Sequence, residues 1–422
     1  MDPAAPSPAP LAVAVLGQGW YPDVGGVESH TRVLARELRR RGHRVRALCA
    51  DSSEGRAPYS TRDEEVEGVA VRRMAYRYHD HRALADVVEN ARAERVVEAW
   101  LGSAPTDVLH VHHPTAFGIG ALRAAERAGV PLVLTLHDYW ALCPRGQMMR
   151  PDRGVCARPE PSRCGACLAE TWPALMPSGG GERRGPGGRE VPNDAAAAAA
   201  RTAFALECLE RPARLLAPSA AARAVYGAAG LDAARIEVCP NGIEVAELAR
   251  EVARRRAEIA PAPGTVRLGV IGAVLPSKGV LELARAVQAA SVPGLVLEIH
   301  GPVPSCHGDE SYGAELAALA AADARVRLHG PFDHDGLAEI LAGLDGVAAP
   351  SRWAEVFGLS VREAASAGLP VLVSDAGDLP AVADGGRAGI VVPAGDEGAW
   401  VEALRRFGTD AAARRRWAAA AP

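Results

Sequence analysis

Residues 350–375 read PSRWAEVFGLSVREAASAGLPVLVSD, and the order of elements in this stretch decides the fold. The apolar run Val347-Ala348-Ala349 leads in, and a loop carrying Glu355 and the Phe357-Gly358-Leu359 turn follows. A helix starts near Leu359, and Val371-Leu372-Val373 leads out. Strand, loop, helix, strand is the repeating unit of a parallel sheet. On a single helix Glu355 and Glu363 would stand roughly 80° apart, so one is read before the helix and the other inside it, both facing its N-terminus. Free backbone N–H groups and the helix dipole favour a phosphate there, and a carboxylate accepts hydrogen bonds from sugar or ribose hydroxyls. Ser360 followed three residues later by Glu363 also spells a capping box, in which both side chains only satisfy helix donors. The residues leave both readings open.

Outward from this unit the same alternation continues. Short runs rich in Val, Ile and Leu at residues 266–271, 295–299, 326–328, 346–349, 370–373 and 389–392 alternate with helical patterns. Earlier runs at 11–16, 45–49, 108–111, 132–136 and 215–217 do likewise. The pattern predicts an α/β protein of two Rossmann-like domains, each a parallel sheet covered on both faces. Ligands are expected at the strands' carboxyl ends, in a cleft between the domains. A chain of 422 residues is long enough for two such cores. The predicted boundaries are a disordered leader over 1–10, a first domain over 11–242, a second over 243–398 and a terminal helix over 399–422. The hinge is placed at Pro240, Asn241 and Gly242, strong turn formers within RIEVCPNGI. Residues 177–193, rich in Gly, Arg and Pro, predict a mobile loop in the first domain.

The net charge of −4, from 47 basic and 51 acidic residues, argues against a general nucleic-acid binder. The leader MDPAAPSPAP lacks the basic and apolar regions of a signal peptide, and no run approaches a transmembrane span. A cytoplasmic location is therefore expected, where eight cysteines serve as thiols or metal ligands rather than disulfides. Cys143, Cys156, Cys164 and Cys167 fall in one loop-rich segment ending in a Cys-x-x-Cys knuckle. Four thiolates so spaced can close a structural zinc site over 143–167, with free thiols or a disulfide as the other readings. Residues 36–46, RELRRRGHRVR, either complement a helix end in water or rest on anionic lipid as a peripheral membrane contact.

Other motifs fall where strands pass into helices. Gly25-Gly26 follows the first strand and lets a backbone approach a ligand. Gly17-Gln18-Gly19 is not a dinucleotide fingerprint, because Pro22 stands where the third glycine belongs. Lys278-Gly279 sits at the mouth of a helix, where an ammonium can neutralise a diphosphate. His112-His113 and His137-Asp138 end the strands at 108–111 and 132–136. Such histidines can donate to a sugar hydroxyl or a developing phosphate charge, or be structurally satisfied.

The segment from Glu355 through Phe357-Gly358-Leu359 and Glu363 to Pro370 resembles the donor-site signature of family-4 glycosyltransferases, and the resemblance extends from Leu11 to about Trp400. It implies a GT-B fold with the acceptor domain first and the nucleotide-sugar domain second. The implied reaction moves a glycosyl group from a nucleoside-diphosphate sugar with retention at the anomeric carbon, and no cofactor is implied for catalysis. Carried over residue by residue, the resemblance implies Glu363 for the ribose and Glu355 for the sugar hydroxyls. It implies Lys278 and the amides of Phe357, Gly358 and Leu359 for the diphosphate, with Gly26 on the donor side. His137 is implied near the transferring sugar, with Gly25, His112 and His113 on the acceptor side. The family commonly carries an arginine near Ala273; this chain has none, and Arg352 is a candidate substitute. Some family members carry a similar cysteine-bearing insertion, and in the family the terminal segment crosses back to the first domain, though here it is short. The rival readings are an epimerase-like enzyme of the same fold and a noncatalytic nucleotide-sugar binding protein. A lipid-linked and a small-molecule acceptor both fit.

Overall fold

The computed structural model describes residues 9–23, 25–78, 81–177, 193–259 and 263–421. Residues 1–8 of the expected leader and 178–192 of the expected mobile loop lie outside the described residues. The chain forms two compact units that change over between Gly242 and Ile243, apart from the short segments 152–156 and 219–222, which group with the second.

The first unit is built on an eight-stranded sheet. Its strands are β1 (Ala12–Gly17), β2 (Arg44–Asp51), β3 (Thr61–Val66), β4 (Val69–Ala75), β5 (Val108–Val111), β6 (Leu132–Thr135), β7 (Arg214–Ala217) and β8 (Ile236–Val238). They lie in the order β3-β4-β2-β1-β5-β6-β7-β8. All pairs are parallel except β3 with β4. β1 is buried along its whole length, because strands flank it on both sides and helices cover both faces.

The sequence reading overlooks β3, β4 and β8. β3, TRDEEV, has no apolar alternation because it is an edge strand held by charge. Arg72 donates to Asp63 at 2.6 and 2.7 Å, Arg62 donates to Asp51 at 3.0 Å, and Arg73 reaches Glu64. Such pairs also discourage edge-to-edge association. β8 is only three residues long and runs into the turn formers that dominated its reading.

The second unit holds a six-stranded sheet: β9 (Val266–Ile271), β10 (Leu295–His300), β11 (Val326–Gly330), β12 (Gly346–Ala349), β13 (Val371–Ser374) and β14 (Gly389–Val392). All of its pairs are parallel, in the order β11-β10-β9-β12-β13-β14. Each of these strands was predicted. Two apolar layers cover it, and β13 shows how they are divided. Leu372 packs on one face with Leu268, Leu297 and Leu404, while Val371 and Val373 pack on the other with Val347 and Val361. That alternation is the two-residue period of a strand.

The expected single terminal helix is corrected to two, Glu397–Thr409 and Ala411–Ala420. They break at Asp410, whose carboxylate accepts from the Ala413 N–H at 2.8 Å and so caps the second helix. Trp400, Phe407 and Trp417 enter the second unit's core. No helix among the described residues is long and apolar enough to cross a membrane. Much of the basic run has internal partners: Arg40 and Arg41 bond Glu37 at 2.7 and 2.8 Å. Arg39 donates to the Glu67 carbonyl at 2.7 Å, and Arg46 to the Trp100 carbonyl at 2.7 Å.

Leu372→Ala empties a fully buried position and is expected to destabilise the protein by about 2–5 kcal/mol. Arg62→Ala, on the solvated edge, is expected to cost about 0–1 kcal/mol. Chemical-denaturation midpoints of the two variants would show equal losses if the β3 edge were as structural as the core.

Candidate functional site

In the second unit the strand order reverses between β9 and β12. β9 connects onward to β10 on one side and β12 to β13 on the other, so the loops leaving their carboxyl ends diverge and open a crevice. Lys278 follows β9, and Glu355 follows β12. The two loops are stitched together by backbone. Gly279, at φ 68°, opens the helix Val280–Ala290, and a Cβ on it would lie 2.1 Å from the Pro350 carbonyl oxygen. The Arg352 N–H donates to the Ser277 carbonyl at 2.8 Å. Only glycine allows both the left-handed turn and this approach.

Side chains complete the seam. The Lys278 ammonium donates to both oxygens of Glu355 at 2.8 and 2.7 Å. Ser351 Oγ and Trp353 Nε1 donate to Glu355 Oε2 at 3.0 and 2.9 Å. Lys278 also lies 5.3 Å from the centre of the Trp353 ring. Glu355 is 8% exposed and saturated with donors. In this structure it holds the Lys278 ammonium in place. The Lys278 side chain keeps 32% of its exposure.

The Phe357-Gly358-Leu359 turn is clamped from two sides. Arg362 donates to the Phe357 carbonyl at 2.8 Å, lies 4.3 Å over the Phe357 ring and pairs with Asp378. Asp378 N–H donates to the Glu355 carbonyl at 2.9 Å. Gly358 is the N-cap of the helix Leu359–Ser366, in a left-handed conformation and with no side-chain cap. Ser360 lies within the first turn, so the capping-box reading is corrected: the cap position falls two residues earlier, on a glycine. Glu363 is buried on this helix, 9% exposed, and burial pushes its pKa up to about 7. His334 Nε2 stands 3.7 Å from it. Arg352, the candidate substitute cation, is anchored to Glu282 at 3.0 Å, and Glu282 also accepts from Tyr312 at 2.9 Å.

The first unit has its own reversal, between β1 and β5. The His112 N–H donates to the Leu16 carbonyl at 2.8 Å, tying the loop after β5 to β1. His112 Nδ1 and His137 Nε2 share a hydrogen bond of 2.9 Å. His30, on the helix Gly26–Arg40, joins them with its ring centre 5.5 Å from His112 and 5.3 Å from His137. Burial pushes His112 and His137 well below the usual imidazole range. Burial likewise lowers His30, against a hydrogen bond to the Gly242 backbone. All three are neutral imidazoles near neutral pH. His113 differs: burial would lower its pKa, but the Asp138 carboxylate at 2.8 Å outweighs burial and raises it. Gly25 is the N-cap of the Gly26–Arg40 helix. A Cβ on it would lie 2.3 Å from Glu28 Oε2, so the anion over this helix start is the chain's own carboxylate.

Sequence reasoning did not find His30, Ser351, Trp353, Arg362 or Asp378. Ser351 and Trp353 had a signal, lying within four residues of Glu355; the others reach their sites only through the fold.

The model of Glycosyltransferase Family 4 matches residues 24–247, and that of Glycosyl transferases group 1 matches residues 265–410. The chain belongs to glycosyltransferase family 4. Among curated relatives of this family-4 chain, D-inositol 3-phosphate glycosyltransferase of Nocardia farcinica is 33% identical over 181 residues, 42% of this chain and 40% of that one. The enzyme of the same name from Mycobacterium tuberculosis strain CDC 1551 is 33% identical over 187 residues, 43% of this chain and 38% of that one. The chain thus spans about two fifths of the length of the curated relatives it matches. Solved structures agree over nearly the whole chain. Anabaena HepE, in complex with UDP and glucose, superposes with a TM-score of 0.64 at 18% identity, covering 97% of this chain and 93% of that one. Sucrose-phosphate synthase from Thermosynechococcus elongatus gives 0.63 at 17%, covering 96% and 92%. At these identities the likeness is one of fold, and the fold is GT-B.

The four cysteines of the expected zinc site of this family-4 chain are not gathered into one cluster among the described residues. None of the eight cysteines is joined in a disulfide. No three of the sulfurs of Cys143, Cys156, Cys164 and Cys167 lie within 4.8 Å of one another, whereas a tetrahedral zinc–thiolate site needs sulfurs about 3.8 Å apart. Burial also pushes the Cys143 thiol up, against thiolate formation. Arginines order the segment instead: buried Arg201 donates to the Ala141 carbonyl at 2.6 Å, and Arg145 to the Met149 carbonyl at 2.9 Å and Thr171 Oγ1 at 2.6 Å.

The folded pKa of Glu363, about 7, lies above its ordinary 4.5, so the folded state holds this proton more tightly than the unfolded one. Stability from this group is full below about pH 4.5 and falls as pH rises toward 7, by up to about 3 kcal/mol. Glu363→Gln is expected to remove that loss. The denaturation midpoint of the variant should gain on wild type between pH 5 and 8, and a difference independent of pH would mean that Glu363 ionises normally.

Proposed function

We propose that the protein is a glycosyltransferase that transfers a sugar from a nucleoside-diphosphate sugar with retention of anomeric configuration. The observation that carries this reading is the Lys278–Glu355 pair across the β9/β12 reversal, beside the uncapped start of the helix Leu359–Ser366. A nucleotide-sugar donor leaves behind a diphosphate, whose developing charge needs positive potential fixed in advance. Lys278, held in place by Glu355, supplies it as an ammonium, and the helix start supplies it as oriented amides. Glu363, buried and slow to ionise, suits hydrogen bonding to ribose hydroxyls. His137, neutral and with Nε2 turned to His112, keeps Nδ1 for a hydroxyl on the acceptor side. Retention rests on the family resemblance alone. The relatives named D-inositol 3-phosphate glycosyltransferase and the HepE complex with UDP and glucose make UDP-glucose the first donor to test and hydroxyl-rich, phosphorylated small molecules the first acceptors.

Thermal shift with UDP, GDP, ADP and NAD at matched concentrations is the direct test. A ligand at a hundred times its dissociation constant stabilises by about 2.7 kcal/mol. One diphosphate is expected to stabilise the protein and NAD is not, and Glu363→Ala is expected to abolish the shift. Release of nucleoside diphosphate from the matching sugar donor should then depend on acceptor, and Lys278→Met should cut turnover roughly 10²- to 10³-fold. Donor consumed without acceptor would point to the epimerase-like reading. Donor bound but never turned over across an acceptor panel would point to the noncatalytic one.

A further inference from the structure

We propose that His30, His112 and His137 form a three-histidine site for a divalent transition-metal cation, zinc foremost, at the carboxyl ends of β5 and β6 in the first unit. The proposal rests on ligand geometry and shares His137 with the transferase reading: Nε2, turned to His112, would go to the metal, and Nδ1 stays for an acceptor hydroxyl.

Among the described residues these three are the one group of histidine, cysteine or carboxylate side chains whose ligand atoms all lie within 4.8 Å of one another. Their ring centres form a nearly equilateral triangle with sides of 5.2, 5.3 and 5.5 Å. Imidazole nitrogens bind zinc at about 2.0–2.1 Å, which puts each ring centre about 3.2 Å from the metal and, at tetrahedral angles, the centres about 5.2 Å apart. The triangle already has the size of a facial tris-imidazole site.

His30 Nδ1 is buried without a hydrogen-bond partner, a costly state for a polar atom in a packed interior. A cation seated among the rings would take the place of the proton shared by His112 Nδ1 and His137 Nε2 and give the unpartnered His30 Nδ1 a partner. Imidazole ligands in a tetrahedral arrangement select zinc over harder cations. Three protein ligands leave a fourth position for water or for a hydroxyl or phosphate oxygen of a bound small molecule.

The test uses the full chain, stripped with chelator and titrated with Co²⁺ in place of Zn²⁺. One equivalent is expected to bind with the visible spectrum of a nitrogen and oxygen site, without the intense thiolate-to-cobalt band, and to be displaced by Zn²⁺. His30→Ala and, separately, His112→Gln should weaken binding at least tenfold while circular dichroism stays that of the folded protein. The double variant Cys164→Ser, Cys167→Ser should bind Co²⁺ like wild type. The proposal fails if Co²⁺ shows no saturable binding, if the spectrum is that of thiolates and disappears in the cysteine variant, or if both folded histidine variants bind as tightly as wild type.

Discussion

The ion pair between Lys278 and Glu355 is the interaction on which the second unit's site depends. A carboxylate withdrawn from water is costly unless its lone pairs find partners. Here Glu355 collects Lys278, Ser351 and Trp353 within 3.0 Å. The pair spans 77 positions of sequence yet crosses the gap between neighbouring strands, so it ties two loops that the strand order drives apart. Gly279 against Pro350, Arg352 against Ser277 and Asp378 against the Glu355 backbone then hold the main chain around it. With the backbone held this way, one lysine charge and the first amides of a helix are fixed at the mouth of the crevice before any ligand arrives. Preorganisation of this kind is what electrostatic stabilisation of a leaving diphosphate requires.

The first unit solves the same topological problem with different chemistry. Its reversal between β1 and β5 is furnished with imidazoles, and burial keeps His30, His112 and His137 uncharged. His113, next in sequence to His112, is driven the other way by Asp138. Adjacent histidines thus serve opposite electrostatic ends: burial dominates at His112, and at His113 the Asp138 carboxylate outweighs burial. The glycine pair at the start of the Gly26–Arg40 helix likewise does not open an empty anion site, since the Glu28 carboxylate already occupies that space.

Where the sequence could be read, it was read through periodicity. Every strand of the second unit was legible, because strands buried on both faces must be continuous runs of Val, Ile and Leu. β3 was not, because an edge strand can be held by arginine–carboxylate pairs with little apolar signal; β4 carries buried Val69, Val71 and Met74, but the adjacent Arg72 and Arg73 interrupt its apolar run. The break at Asp410 was missed because an N-cap aspartate interrupts a helix without glycine or proline to announce it. The cysteine knuckle has a spacing that suits a metal, but the contacts that order its surroundings include buried Arg201, which comes from elsewhere in the chain and which no local spacing announces.

The α/β alternation, the six strands of the second sheet and the placement of Lys278, Glu355 and Glu363 at strand-to-helix junctions are legible along the chain. Those are local properties, set by side-chain period and by which residues follow each strand. That Lys278 bonds Glu355, that Gly358 rather than Ser360 begins its helix, and that His30 joins His112 and His137 emerge from packing. Those are decided by which strands become neighbours, and a side chain's partner, burial and proton affinity depend on the atoms packed around it rather than on the residues beside it in the chain.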